Sequence, residues 1–141
     1  MILPVLLLII MGILYFGRYE NYSNQETQLA GQGARLAAVD VNPTTSHQTL
    51  QQYVAAQASV ELTNGSSDVT SPVKVYIYLL PSGQTPAVRV CAVSTVTYPL
   101  LLGVARTTQV MAESAAMRVE YTGAPTNYTA DTSWPSQCPS S

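Results

Sequence analysis

The chain opens on an apolar block and then changes character without breaking its period. Positions 2–16 are apolar apart from Tyr15, and polar residues enter from Gly17 onward. No proline and only isolated glycines interrupt the next twenty residues, so one helix is predicted to continue to Asp40, where Asp40, Asn42 and Pro43 read as its stop. Ala30, Ala34 and Ala38 recur at i, i+4 and i+8, with Gly33 and Ala37 beside them. Such a stripe of small side chains lets another element approach the helix closely. A continuous helix over 1–40 spans about 60 Å. Its first half suits lipid and its second half suits the surface of a folded domain.

Downstream the period changes. A polar linker follows Pro43, and Thr44, Thr45 or Ser46 is placed to cap a short helix with Leu50, Tyr53, Val54 and Ala58 on its inner face. Residues 59–64 (SVELTN) read as a short alternating strand. In residues 73–80 (VKVYIYLL), Val73, Val75, Ile77 and Leu79 share one face and Lys74, Tyr76 and Tyr78 the other. Residues 81–86 (PSGQTP) carry turn chemistry, and the β-branched run 87–98 completes a long antiparallel hairpin. Residues 99–104 (PLLLGV) read as an apolar connection, tucked against the sheet or near a membrane. In 107–121, Met111, Ala115, Met117, Val119 and Tyr121 share one parity, with Glu113 as the exception, so a further strand is predicted. The expected architecture is α+β, with a long N-terminal helix on a small antiparallel sheet of three or four strands. The expected divisions are a helix at 1–40, a globular unit at 41–122, and a Pro/Ser/Thr-rich tail at 123–141. Composition alone makes that tail disordered, whereas Trp134 and Cys138 argue that it docks.

Composition narrows the function classes. Charged residues are 10% of 141, with a formal net charge of -2, which is against the basic stripe of a nucleic-acid binder. The eight acidic residues are scattered, the single His47 has no ligand-spaced companion, and no nucleophile motif appears. No catalytic site, metal, cofactor or small-molecule substrate is therefore expected. Two cysteines, Cys91 and Cys138, in an exported chain point to one disulfide; the alternative is a buried thiol and a free tail thiol.

The apolar run is about one turn short of the roughly 20 residues that cross a bilayer. It has no preceding Lys or Arg and no good cleavage site, so a membrane anchor is favoured over a cleaved signal peptide. Tyr15, Tyr19 and Tyr22 with Arg18 match the composition of an interfacial belt.

Leu3-Pro4, Gly12-Ile13, Phe16-Gly17-Arg18 and GQGARLAAV at 31–39 appear in an order that resembles the N-terminal region of the TadE-like pseudopilins of tight-adherence pilus systems. VTYPLLLG at 96–103 and ESAAMRVE at 113–120 are similar to that family's end pattern. The resemblance implies a pilin-like fold and a non-catalytic minor pseudopilin that assembles with other pilin subunits and pilus assembly proteins. It implies a bacterial envelope location, with a single anchor and an extracytoplasmic domain. The family's basic leader and Glu-Phe pair precede the position of Met1, so the native reading frame is expected to extend upstream. The residues expected to pack the helix are Ala30, Gly33, Ala34 and Ala38.

Overall fold

The computed structural model describes residues 2–44, 48–66, 68–80, 86–100 and 105–139. Helix α1 runs Leu3–Ala38 as one uninterrupted element. Two short helices follow, α2 (Leu50–Ala56) and α3 (Val60–Asn64), and then three strands, β1 (Val69–Leu80), β2 (Ala87–Leu100) and β3 (Ala105–Arg118). The strands form an antiparallel meander in the order β1-β2-β3. The fold is α+β, with the long helix on a three-stranded sheet.

Strand parity decides the faces. Val88, Val90, Ala92, Ser94 and Val96 of β2 are all buried, as are Val73, Val75 and Ile77 of β1 and Met111 of β3. The C-terminal half of α1 lies on this face and buries Tyr22, Glu26, Leu29, Ala30, Gly33, Ala34, Ala37 and Ala38. Their spacing of three and four residues is the single stripe that a straight helix presents to a sheet. Gly33 is where the approach is closest. A Cβ built there meets Val90 Cγ1 at 2.9 Å and Val54 Cγ1 at 3.4 Å, so α1 touches both the sheet and α2 at one point. At Gly31 a Cβ would meet nothing within 4 Å among the described residues.

Two local expectations need correction. Residues 59–64 are not a strand: Val60–Asn64 form α3. Ser59 precedes it in extended conformation, Glu61 sits in its first turn, Thr63 Oγ1 bonds back to the Ser59 carbonyl at 3.1 Å, and Gly65 ends it at φ 79°. Leu62 is the one side chain it fully buries, so two-residue alternation in so short a run carried no information about the face. The cap of α2 is Thr49 rather than Thr44. Thr49 Oγ1 accepts from the Gln52 N–H, and Gln52 Oε1 accepts from the Thr49 N–H, a reciprocal capping box. The other proposed caps, Thr45 and Ser46, lie outside the described residues, as do His47 and most of the 81–86 turn. Of the apolar connection at 99–104, Pro99 and Leu100 belong to β2, paired with Arg106 and Ala105; residues 101–104 lie outside the described set.

The C-terminal segment is a strap. After β3 it crosses the end of α1, where Asp40 adopts φ 53° and gathers it. The Asp40 carboxylate accepts from the Thr126 N–H at 2.9 Å, the Thr126 hydroxyl at 2.7 Å and the Asn127 N–H at 3.0 Å, while Asn127 Nδ2 donates to the Asp40 carbonyl at 2.7 Å. Desolvation would raise the pKa of Asp40, but these hydrogen bonds outweigh it and hold the carboxyl below its usual range. Tyr128 then joins the core, with its phenol 2.7 Å from that of Tyr121. Asp131 rounds the edge of β1, its backbone N–H donating to the Ile77 carbonyl and its carboxylate accepting the Ile77 N–H. On the far face Trp134 packs edge-on to Tyr78, with the Arg89 guanidinium 5.9 Å from its ring centroid. Cys138 is joined to Cys91 by a disulfide, with Cα atoms 6.2 Å apart.

Two outcomes follow for the detergent-solubilised full chain. Gly31→Ala raises stability by up to about 1 kcal/mol through helix propensity, whereas Gly33→Leu lowers it by about 1–3 kcal/mol through overpacking against Val90; paired melting curves check both. Reduction of Cys91–Cys138 lowers stability by about 3–4 kcal/mol, as expected for closure of a loop of this length, checked by denaturant unfolding with and without reductant.

Candidate functional site

The feature without a structural explanation inside the domain is the first half of α1. Pro4 lies in its first turn, where the missing N–H costs nothing. Every large aliphatic side chain in 2–16 and Phe16 stands exposed, from 43% at Leu7 to 83% at Ile2. Met11 and Tyr15 alone in this run are half-buried. By length and composition α1 is able to cross a membrane, and among the described residues none of its most apolar stretch is buried within the chain. Each large apolar side chain left in water forgoes roughly 1.5–3 kcal/mol, so this half of the helix requires lipid or other apolar surfaces.

Polar contacts mark where the helix meets its domain. Arg18 Nη1 pairs with Asp68 Oδ2 at 2.7 Å, just before β1. One turn on, the Tyr22 phenol donates to Glu61 Oε2 at 2.7 Å from α3. Burial and that bond push its pKa up to about 12. The Ser23 hydroxyl donates to Glu113 Oε1 at 2.9 Å, which explains why a charged residue stands on the helix-facing parity of β3. Thus Asp68, α3 and β3 all grip the helix within about two turns.

Glu26 follows on the same stripe and is fully buried. Its Oε1 shares a short hydrogen bond with Ser94 Oγ of β2, and its Oε2 has no hydrogen-bond partner among the described residues. Its side chain lies on the sheet, well past the exposed apolar half of α1. Burial raises its pKa to about 7, against the opposing pull of the Ser94 bond, and the Glu113 carboxylate adds to the rise. A neutral carboxyl fits this place, because it needs fewer partners than a carboxylate.

The residues singled out for packing fall on the sheet-facing stripe: Ala30 and Ala34 are fully buried, Ala38 nearly so, and Gly33 contacts Val90 and Val54. Cys91 and Cys138 sit on the opposite face of the sheet, apart from α1, and serve the strap. Sequence reading missed Glu26, Ser94 and Glu113 as a unit. Glu26 did carry a signal, since it stands four residues after Tyr22 and four before Ala30, in register with the stripe. Among the described residues no group of three or more His, Cys, Asp or Glu side chains could hold a metal ion.

The family model described as TadE-like protein matches residues 1–35, which covers the apolar half of α1 and most of its sheet-packed half. Over this stretch the chain is similar to that family, in agreement with the motifs at Leu3-Pro4, Gly12-Ile13 and Phe16-Gly17-Arg18. No curated protein and no solved structure matches the chain.

The buried Glu26 makes stability depend on pH. Its folded pKa lies above its unfolded value of about 4.3, so the folded state holds the proton more tightly. The stabilisation is complete below that unfolded value and is lost as pH rises through about 7. Unfolding free energy, measured by denaturant titration between pH 4.5 and 8.5, should fall by up to about 3 kcal/mol on this account. Glu26→Gln should flatten that slope while leaving stability at pH 5 nearly unchanged.

Proposed function

We propose that this protein is a minor pseudopilin-like component of the bacterial envelope that takes part in assembling a tight-adherence pilus or a related secretion machine. The observation that carries the reading is the division of α1: one half is pinned to the sheet by the Tyr22–Ala38 stripe, and the other presents a largely exposed apolar surface. The TadE-like match falls on that same helix and supports it.

On this reading that apolar half, a rod, starts in the membrane as a single anchor, and the domain after residue 40 lies outside the cytoplasm. Assembly moves the rod from lipid to the apolar helices of neighbouring pilin or pseudopilin subunits. The sheet-bound half, with Ala30, Gly33, Ala34 and Ala38 at its contact, transmits position from the domain to the rod because the two halves are one continuous helix. The strap and the Cys91–Cys138 bond keep the domain closed in the oxidising space outside the cytoplasm. The work is structural, and the protein is non-catalytic.

Deleting the gene should abolish or sharply reduce piliation and surface adherence. Leu7→Asp or Ile10→Asp, which puts a carboxylate at bilayer depth for a few kcal/mol, should reproduce that loss with the domain still folded. Ala34→Leu should instead lower the protein's abundance by overpacking the helix–sheet contact. Piliation, adherence and protein level are scored together. If deletion leaves piliation and adherence intact and the purified protein captures no pilus component, the assembly role is wrong and a membrane-anchored binding module takes its place.

A further inference from the structure

The β2–β3 hairpin is longer than the sheet needs. β1 ends its pairing at Val69 opposite Val96, and beyond that point only β2 and β3 continue, with residues 97–100 paired to 105–108. The direction of this extension is set by two contacts with α1. Gly33 lies on Val90, and Glu26 bonds to Ser94. Moving toward the N-terminus of α1 therefore moves along β2 toward Leu100.

The level is set by a third contact. The Thr97 N–H donates to the Asp68 carbonyl at 2.6 Å, and the Asp68 carboxylate holds Arg18. So Thr97 stands near the level that Arg18 reaches. The three residues from Thr97 to Leu100 add about 10 Å at 3.3 Å per residue. That equals about seven residues of helix at 1.5 Å each. The hairpin end thus comes alongside the apolar half of α1, near residues 11–18. The exposure of α1 agrees: Met11 and Tyr15 are its half-buried positions in that stretch, and they continue the face that carries Tyr19 and Tyr22 toward the sheet.

We propose that the end of the β2–β3 hairpin, residues 97–100 and 105–108, is a second membrane contact, seated at the headgroup level of the bilayer that α1 enters. This rests on the anchor reading of α1 and adds a lipid-facing surface on the domain itself. The chemistry suits that level. The sequence from 97 to 108 contains one charge, Arg106, which is exposed, and the residues joining the two arms carry none. Arg106 and Arg18 place guanidinium groups where lipid phosphates lie. The occupant is lipid because, on the anchor reading, this surface is continuous with a helix half seated in the bilayer. A hairpin fixed beside the anchor also orients the domain: one helix leaves the domain free to tilt and swivel, whereas two contacts on one plane do not.

The test uses the full chain, with Cys91–Cys138 intact, in phosphatidylethanolamine–phosphatidylglycerol vesicles. Nitroxide labels are placed at Thr107→Cys and Gln109→Cys, exposed positions on β3, with Leu8→Cys as the lipid reference and Gln28→Cys as the aqueous one. Collision with oxygen and with a water-soluble nickel complex reports depth. The expected result is a several-fold higher oxygen-to-nickel ratio at 107 than at 28, with 109 lying between the two. If 107 equals 28 while 8 lies in lipid, the hairpin contact is wrong and the anchor stands. If 8 also equals 28, the anchor reading fails and takes the hairpin contact with it. Shielding at 107 from both reagents that grows with protein-to-lipid ratio would assign the surface to a second copy and overturn the lipid proposal.

Discussion

The close approach of α1 to β2 at Gly33 is the contact on which the other arrangements rest. A glycine flanked by Ala30, Ala34 and Ala37 lets the helix settle against Val88, Val90 and Ala92 without side chains holding the two apart. Val54 reaches the same glycine, so α2 is positioned by it as well. Dispersion across such a contact is small for each atom pair and large in sum, and it falls steeply with a separation of even half an ångström. A bulky residue at this point would therefore loosen α2 and the helix–sheet core together.

Held there, α1 is a lever with two solvents. Its sheet-bound half satisfies its apolar stripe within the chain, and four of its polar residues bond to the domain: Arg18 with Asp68, Tyr22 with Glu61, Ser23 with Glu113, Glu26 with Ser94. The other half has an apolar surface all round, which no domain of this size is able to cover. The hydrophobic demand is thus exported to a bilayer or to other helices. Because the helix has no proline or break between Gly17 and Ala38, the orientation of the domain and that of the rod are linked.

The strap solves a different problem. A three-stranded sheet has two edges and a second face, and one helix covers neither the β1 edge nor that face. Asp131 occupies the β1 edge at Ile77 with one donor and one acceptor, much as a neighbouring strand would. Trp134 and Cys138 then reach the far face. Asp40 gathers the strap at its start, so both ends of the segment are held, and between them it buries Tyr128 in the core.

Much of the architecture is local in origin and so was legible from residue order. The run of α1 to the Asp40 stop follows from composition and from the absence of breakers. The faces of β1 and β3 follow from period-two alternation, and the small-residue stripe marks one side of the helix. The TadE-like motifs, too, are short-range patterns. What the sequence did not determine depends on partners distant in the chain. Residues 60–64 became a helix because a five-residue run has too few positions for its period to outweigh capping and the need to bury Leu62. Glu113 looked like a parity error until Ser23, ninety residues earlier, supplied its hydrogen bond. Glu26 read as one of several acids on a polar helix, and only docking against Ser94 buried it. The strap was read by composition as disordered, with Trp134 and Cys138 arguing otherwise, and its course over the β1 edge required the sheet to exist first. Local propensity and periodicity are properties of a segment, whereas burial, ionisation state and edge protection are properties of a pair of surfaces, and those surfaces meet only in the tertiary structure.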